Sequence, residues 1–216
     1  MLAVADVLTR TDDLLIDAGR TRWTAAERIR WMNECMGAIL TRRPSAFSKS
    51  VVVTLAAGTK QEIAGDMLLD VPRNMAADGV KPGKSIRRTD RQLLDDSDPE
   101  WHTGKPAAAI KHYTFDDRLP KQFYCYPPAI AGTKVETHQS VLPAPIADTA
   151  TTGNLDIGAE YLESVVNYVC YRCHTKDSEF AVSAMAVAFY QAFEASLGIK
   201  TQMQAAASPN QPTNSV

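Results

Sequence analysis

The hydrophobic period of this chain changes twice, and that constrains the fold more than any other feature. Apolar residues recur at helical spacing up to Pro44, alternate residue by residue through the middle, and return to helical spacing after Leu155. A face that repeats every 3.6 residues belongs to a helix and one that repeats every two belongs to a strand, so the chain must combine both. The expected fold class is α+β. N- and C-terminal helices (1–45 and 155–199) form one helical bundle, a β-rich insertion fills 46–154, and 200–216 is a tail.

Within the first helical part, residues 2–17 present Val4, Val7, Leu8, Leu14 and Leu15 as core positions, and Gly19 is the expected stop. Thr24-Ala25-Ala26-Glu27 has capping-box spacing: the threonine accepts from the amide three residues on while the glutamate reaches back. Ile29, Met32, Met36, Ile39 and Leu40 then recur on one side, with Glu27, Arg30 and Glu34 on the other. Pro44 ends this helix, and Arg42-Arg43 complements the negative end of its dipole.

In the middle, Val51, Val53 and Leu55 alternate before Gly58, which reads as a strand and a turn. Residues 65–108 are rich in Pro, Gly and charge, with one short helix expected near Asp90–Asp96. The aromatic stretches 109–115 and 122–127 flank Asp116-Asp117-Arg118-Leu119-Pro120 as a hairpin, and 134–142 carries Val135, Thr137, Gln139 and Val141 on one side. Four or five strands are enough for a small sandwich or open barrel.

After a Thr/Gly-rich connector at 149–154, Leu162, Val165, Val166, Val169 and Cys173 form a stripe widened by Tyr161 and Tyr168. Asp177-Ser178 offers an N-cap for a last helix with Val182, Met185, Phe189, Phe193 and Leu197 as its stripe and Gly198 as its C-cap. Its alanines let a neighbouring helix approach closely. Residues 200–216 lack an apolar period and are expected to be disordered in the free subunit.

Composition narrows the function classes. A formal net charge of −2 gives no global pull toward nucleic acid or an acidic membrane surface. No run approaches the roughly 20 apolar residues that span a bilayer, and the first residues lack the basic flank of a signal peptide. A reducing cytosol is therefore expected, and cysteines at 35, 125, 170 and 173 do not suggest a disulfide framework there.

Cys170-Tyr171-Arg172-Cys173-His174 fits C-x-x-C-H, the haem attachment pattern, and makes a metal- or haem-binding protein the alternative reading. Against it, Cys173 lies on the apolar stripe of a helix, where a free cysteine acts as a small hydrophobe. Zinc would need two more closely spaced ligands, and Cys35, Cys125, His102, His112 and His138 each stand alone. A redox pair belongs at a helix N-terminus, the opposite pole. Gly79-Val80-Lys81-Pro82-Gly83-Lys84-Ser85 falls one residue short of a P-loop and precedes no long helix. Lys81, Lys84, Arg87, Arg88 and Arg91 make a local basic cluster suited to a phosphate backbone, to an acidic protein patch, or simply to solvent. No catalytic constellation and no cofactor site emerge.

Three ordered segments carry a resemblance. Trp23-Thr24 leads into Glu27-Arg28-Ile29-Arg30-Trp31-Met32-Asn33-Glu34 and closes on Ile39 through Pro44; Asp117-Arg118-Leu119-Pro120 leads to Phe123-Tyr124-Cys125-Tyr126-Pro127-Pro128. The third, Glu160-Tyr161-Leu162-Glu163-Ser164-Val165-Val166-Asn167-Tyr168, runs on through Tyr171-Arg172, Lys176-Asp177-Ser178-Glu179, Tyr190-Gln191 and Leu197-Gly198. Together they resemble the head-to-tail adaptor (connector, or head-completion) proteins of tailed bacteriophages. The resemblance implies a non-enzymatic virion subunit, made in the host cytoplasm and located at the head–tail junction. It further implies a homo-oligomeric ring, usually twelve-fold, that docks on the portal protein and receives the next tail or neck protein. Double-stranded DNA passes as cargo, with no membrane partner and no cofactor. On this view the tail docks on the portal through residues such as Met203, Pro209, Asn210, Gln211 and Pro212, and the basic cluster is a site of electrostatic contact.

Overall fold

The computed structural model describes residues 1–176, 179 and 181–207, of which 199–207 are described as helical backbone. It is mixed α+β, and the chain divides into two compact units, Met1–Ala46 with Pro143–Val216, and Phe47–Leu142.

The first unit holds the long helices. A two-residue strand β1 (Leu2–Ala3) opens directly into α1 (Val4–Leu15), which buries Val4, Val7, Leu8, Thr11 and Leu15. Leu14, expected inward, is 52% exposed, and Thr11 takes a core position because its hydroxyl is satisfied by the Leu8 carbonyl. The helix stops at Ile16, in the left-handed region at φ 50°, rather than at Gly19. Helix α2 (Ala25–Arg42) begins on the full capping box: Thr24 Oγ1 accepts from the Glu27 amide, and Glu27 Oε2 accepts from the Thr24 amide.

Residues 143–154, placed with the β-rich insertion from sequence, instead belong to this unit. Asn33 both donates to and accepts from the backbone of Ile146, and Gly153 accepts from the Val4 amide. Strand β10 (Asn154–Leu155) pairs antiparallel with β1. A 3-10 turn at Ala159–Tyr161 then feeds α4 (Leu162–Thr175), which packs against α1, α2 and α5 (Ser183–Ala207). Residues 177 and 178, the expected N-cap, lie outside the described residues. The buried side of α5 is Ala186, Phe193 and Leu197, so Val182 and Met185 lie off it, 46% and 43% exposed. Nor does Gly198 end the helix, which continues to Ala207 and takes in the start of the 200–216 stretch.

The second unit is two four-stranded sheets enclosing one core. The first has the order β2 (Ser48–Thr54), β9 (Lys134–Ser140), β4 (Met67–Met75), β5 (Pro82–Ser85); the second has β3 (Gly58–Glu62), β8 (Gln122–Ala129), β7 (His112–Thr114), β6 (Arg87–Arg88). Leu68, Val71 and Val135 from one sheet meet Tyr113, Phe123, Cys125 and Ala129 from the other. The hairpin about Asp116–Pro120 forms, with Tyr113 opposite Cys125. Val135, Thr137 and Gln139 point inward together, each 0–1% exposed. The short α3 (Arg91–Ser97) starts on Asp90, whose carboxylate accepts from the Gln92 amide.

The chain enters and leaves this unit side by side. Ser48 is registered with Ser140, and the Val141 amide donates to the Phe47 carbonyl. Asn74, 5% exposed, closes the other side of the first sheet, giving its amide to the Lys84 and Ile110 carbonyls and accepting from the Ile110 amide. A buried amide satisfied at both ends fixes which backbones meet there.

Candidate functional site

The C-x-x-C-H segment sits in the last turns of α4, and both cysteines are fully buried. Burial pushes the Cys170 thiol up to about 12 and the Cys173 thiol higher still, the opposite of what a thiolate ligand requires. His174 packs between aromatics, its ring 5.7 Å from Trp23 edge-on and 5.9 Å from Phe189 face-on. Among the described residues no group of three His, Cys, Asp or Glu side chains is placed to share a metal. Both cysteines and His174 therefore pack the helix against its neighbours, and the raised thiols do not suit them as thiolate ligands of a metal.

The basic segment traces one edge of the second unit. Lys84 is on β5 and Arg87 and Arg88 are on β6, so the run passes from the edge of one sheet to the edge of the other, with Ile86 buried between them. Lys81 precedes β5, and Arg91 begins α3, paired with Asp95 at 3.4 Å. All five basic residues are exposed. Arg88 lies over the Phe115 ring, 4.5 Å from its centroid, a cation–π contact that leaves the guanidinium edge open.

Arg88 and Arg91 share an open crevice of about 520 Å³ with Arg118, Asp90, Asp116, Asp117 and Tyr124. Three arginines there face three aspartates, so the crevice is close to neutral and suits a polar protein surface better than a phosphate backbone. Lys81, Lys84 and Arg87 lie outside it, and Arg118 was not foreseen. Its signal was the hairpin itself, whose turn carries Arg118 back beside Thr114.

A second surface is the outward side of α5. Val182, at its entry, Met185 and Val187 are 46%, 43% and 57% exposed, with Ala184, Ala188, Ala192 and Ala195 exposed beside them. From Ser183 to Gly198 the only charged residue is Glu194, and Arg42 holds it at 2.6 Å. The small residues are visible in the sequence, and of the apolar residues that accompany them outward Val182 and Met185 belong to the expected core stripe while Val187 does not.

The proposed docking residues of the tail divide. Met203 falls within α5, whereas Pro209, Asn210, Gln211 and Pro212 lie outside the described residues. No helix among the described residues is long and apolar enough to cross a membrane.

No curated protein matches this chain. A family model described as SU10 adaptor protein does match, over residues 2–213, which is nearly the whole sequence. The chain thus belongs to the SU10 adaptor protein family, in line with the phage head-to-tail adaptors that its sequence resembles.

Proposed function

We propose that this protein is a structural adaptor subunit whose copies form a ring under the phage portal, around the DNA channel, and link it to the tail. The observation that carries this reading is the adaptor-family match along residues 2–213. An adaptor role implies that the work is done by contact rather than by catalysis. The terminal helices act as one helical bundle, and the exposed neutral side of α5 contributes a subunit contact. The 200–216 tail docks on the portal through residues such as Met203, Pro209, Asn210, Gln211 and Pro212, and the basic edge Lys81–Arg91 meets a charged partner around it. Modest affinity per subunit multiplies when many identical contacts engage together around a symmetric ring.

Co-sedimentation with the cognate portal ring tests the proposal, comparing the full chain with a chain ending at Ala207. Full-length protein is expected to pellet at near-equal stoichiometry with portal subunits, and the shortened chain to stay in the supernatant. Equal pelleting of both removes the docking role of the tail. Failure of the full chain to pellet overturns the portal assignment itself.

A further inference from the structure

Between α1 and α4 the first unit carries an open groove of about 590 Å³. Leu14, Leu162 and Val166 give it an apolar lining. Three carboxylates, Asp13, Glu160 and Glu163, share that lining with one guanidinium, Arg10, so the groove is acidic. Asn167 lines it too; it is 8% exposed, and its side-chain amide makes no hydrogen bond among the described residues. An unpartnered amide that deep in the fold is costly unless something entering the groove meets it.

Asn33 and Asn74 show how this chain uses such an amide. Each clasps both backbone groups of one isoleucine, Ile146 and Ile110 respectively. The groove therefore suits a peptide segment that brings a free backbone group, an apolar side chain and a positive charge.

The turn between β4 and β5, residues 76–81, brings all three. Val80 is 77% exposed at its tip, and Lys81 follows it. Lys134 lies alongside, since a Cβ added at Gly79 would come 3.5 Å from its Nζ. Asp78, the one acid of the turn, is occupied within it, accepting from the Val80 and Lys81 amides. Ala77 is exposed, and its amide and carbonyl make no hydrogen bond among the described residues. The rest of the turn is fixed in advance: the Ala76 amide donates to the Lys81 carbonyl, the Gly79 amide donates to the Ala76 carbonyl, and Gly79 supplies φ 73°. A loop already rigid loses little entropy when it docks.

We infer that the β4–β5 turn of one copy docks in the α1–α4 groove of a second copy. Val80 meets Leu14, Leu162 and Val166, the Ala77 peptide meets Asn167, and Lys81 faces Asp13 and Glu163. Turn and groove are different patches, so the contact is heterologous, the kind that can close into a ring. It rests on the ring reading above and gives that reading a pair of surfaces. Opposite charge on the two patches also disfavours groove against groove and turn against turn.

Paired cysteines in the full chain test the docking. Cys35, Cys125, Cys170 and Cys173 are all buried, so introduced surface thiols react against a quiet background. Leu14→Cys mixed with Val80→Cys should link under mild oxidation on the order of tenfold faster than Leu14→Cys mixed with Leu93→Cys, an exposed position on α3. The mixture should stop at dimers, whereas a chain carrying both Leu14→Cys and Val80→Cys should run on to a ladder, as a heterologous contact requires. In that doubly substituted chain, Lys81→Asp should slow the ladder several-fold and Asp13→Lys should restore it. Asp13 is in the last turn of α1, where lysine suits the helix dipole, so its reversal spares the fold. Each variant is first matched to the parent circular dichroism spectrum and melting temperature. The reactions are run on the free chain and on chain pelleted with the portal ring. Linking no faster than the Leu93 control in both settings overturns the docking, while pelleting keeps the portal reading. A ladder from a chain that fails to pellet supports the docking and removes the portal. If the portal shields the Leu14→Cys thiol from a small alkylating reagent and no link to Val80→Cys forms, the portal fills the groove and the docking between copies is overturned.

Discussion

Replacing Arg28 by alanine will lower the unfolding free energy by about 3–5 kcal/mol, the cost of stranding buried carboxylates without their cation. The guanidinium is fully buried and gathers the α1–α2 connection around itself. Its Nη1 donates to Asp12 at 2.6 Å and to Thr11 at 3.1 Å, and its Nη2 donates to Asp17 at 2.8 Å. Asp12 is shared with Arg20 at 2.8 Å, whereas among the described residues Asp17 is ion-paired with Arg28. Removing the fork leaves Asp17, 3% exposed, as a buried charge without its cation, held only by the Thr21, Arg22 and Trp23 amides and the Thr21 hydroxyl. Lysine keeps a charge but cannot reach both carboxylates with planar donors, so Arg28→Lys should fall between wild type and alanine. Urea unfolding followed by circular dichroism reads the difference. A loss below about 1 kcal/mol for alanine would mean that the connection holds without its ion pairs, as exposed pairs do.

The same node sets an acid limit. Burial alone pushes the Asp17 carboxyl up, but the amides of Trp23, Thr21 and Arg22 and the Arg28 charge outweigh it and leave it below the ordinary value. A folded-state value below the unfolded one stabilises the fold at pH above the unfolded value, and that stability is lost as pH falls through the folded one. Stability should therefore be flat near neutrality and fall below about pH 4, the ordinary carboxylate range. In Asp17→Asn the neutral-pH stability drops and the slope between pH 5 and 3 becomes shallower, because the titrating group is gone. Paired urea titrations at neutral and acid pH measure both. An unchanged slope in the variant would place the acid sensitivity elsewhere.

Arg28 also shows what the sequence held and what it hid. It lies four residues before Met32 and seven before Cys35, on the same stripe as the core residues of α2. The helical period thus marked it as inward-facing, and Asp12 and Asp17 were the acids available to meet it. Periodicity was legible where burial was one-sided, as in the inward alternation of β9, while the capping box of α2 followed from the Thr24–Glu27 spacing and the hairpin of β7 and β8 from its turn residues. It failed where the backbone breaks its own alternation. Strand β4 slips register between Leu68 and Asp70 and again between Asp70 and Arg73, so its buried residues do not alternate, and Pro72 disguises it further. Strand β5 is wholly exposed and has no inward residue to betray it. The surfaces were harder still, because exposure depends on which neighbours arrive. Val182 and Met185 are apolar at helical spacing, yet the side of α5 that meets α4 is the one carrying Phe193.

That dependence makes Phe193 the residue on which α5 most relies. Its substitution by alanine should cost about 3–5 kcal/mol, the range for deleting a fully buried phenylalanine. The ring is 0% exposed, meets Tyr168 of α4 edge-on at 5.2 Å and lies 5.5 Å from the Arg42 guanidinium. Around it α5 is held by the smaller contacts of Ala186 and Leu197, by Phe189 stacked on His174 at 5.9 Å and Tyr190 against Tyr171 at 5.0 Å, by a Ser164–Ser196 hydrogen bond at 2.8 Å, and by the exposed Arg42 contacts to Glu194 and Tyr190. Exposed ion pairs contribute well under 1 kcal/mol each, so they cannot hold the helix once the ring is removed. An alanine-rich helix favours its own conformation but still needs a packed face to stay docked. Phe193→Ala should therefore release α5 before the rest of the fold melts. Far-ultraviolet circular dichroism should show helix loss at temperatures where near-ultraviolet signals from the β unit persist, and limited proteolysis should cut first within 183–198. Phe193→Leu, which keeps most of the buried volume, should restore protection. If alanine leaves stability and cleavage unchanged, α5 is held by contacts other than this ring. If leucine fails to rescue, the aromatic contacts with Tyr168 and Arg42 matter more than the volume the ring fills.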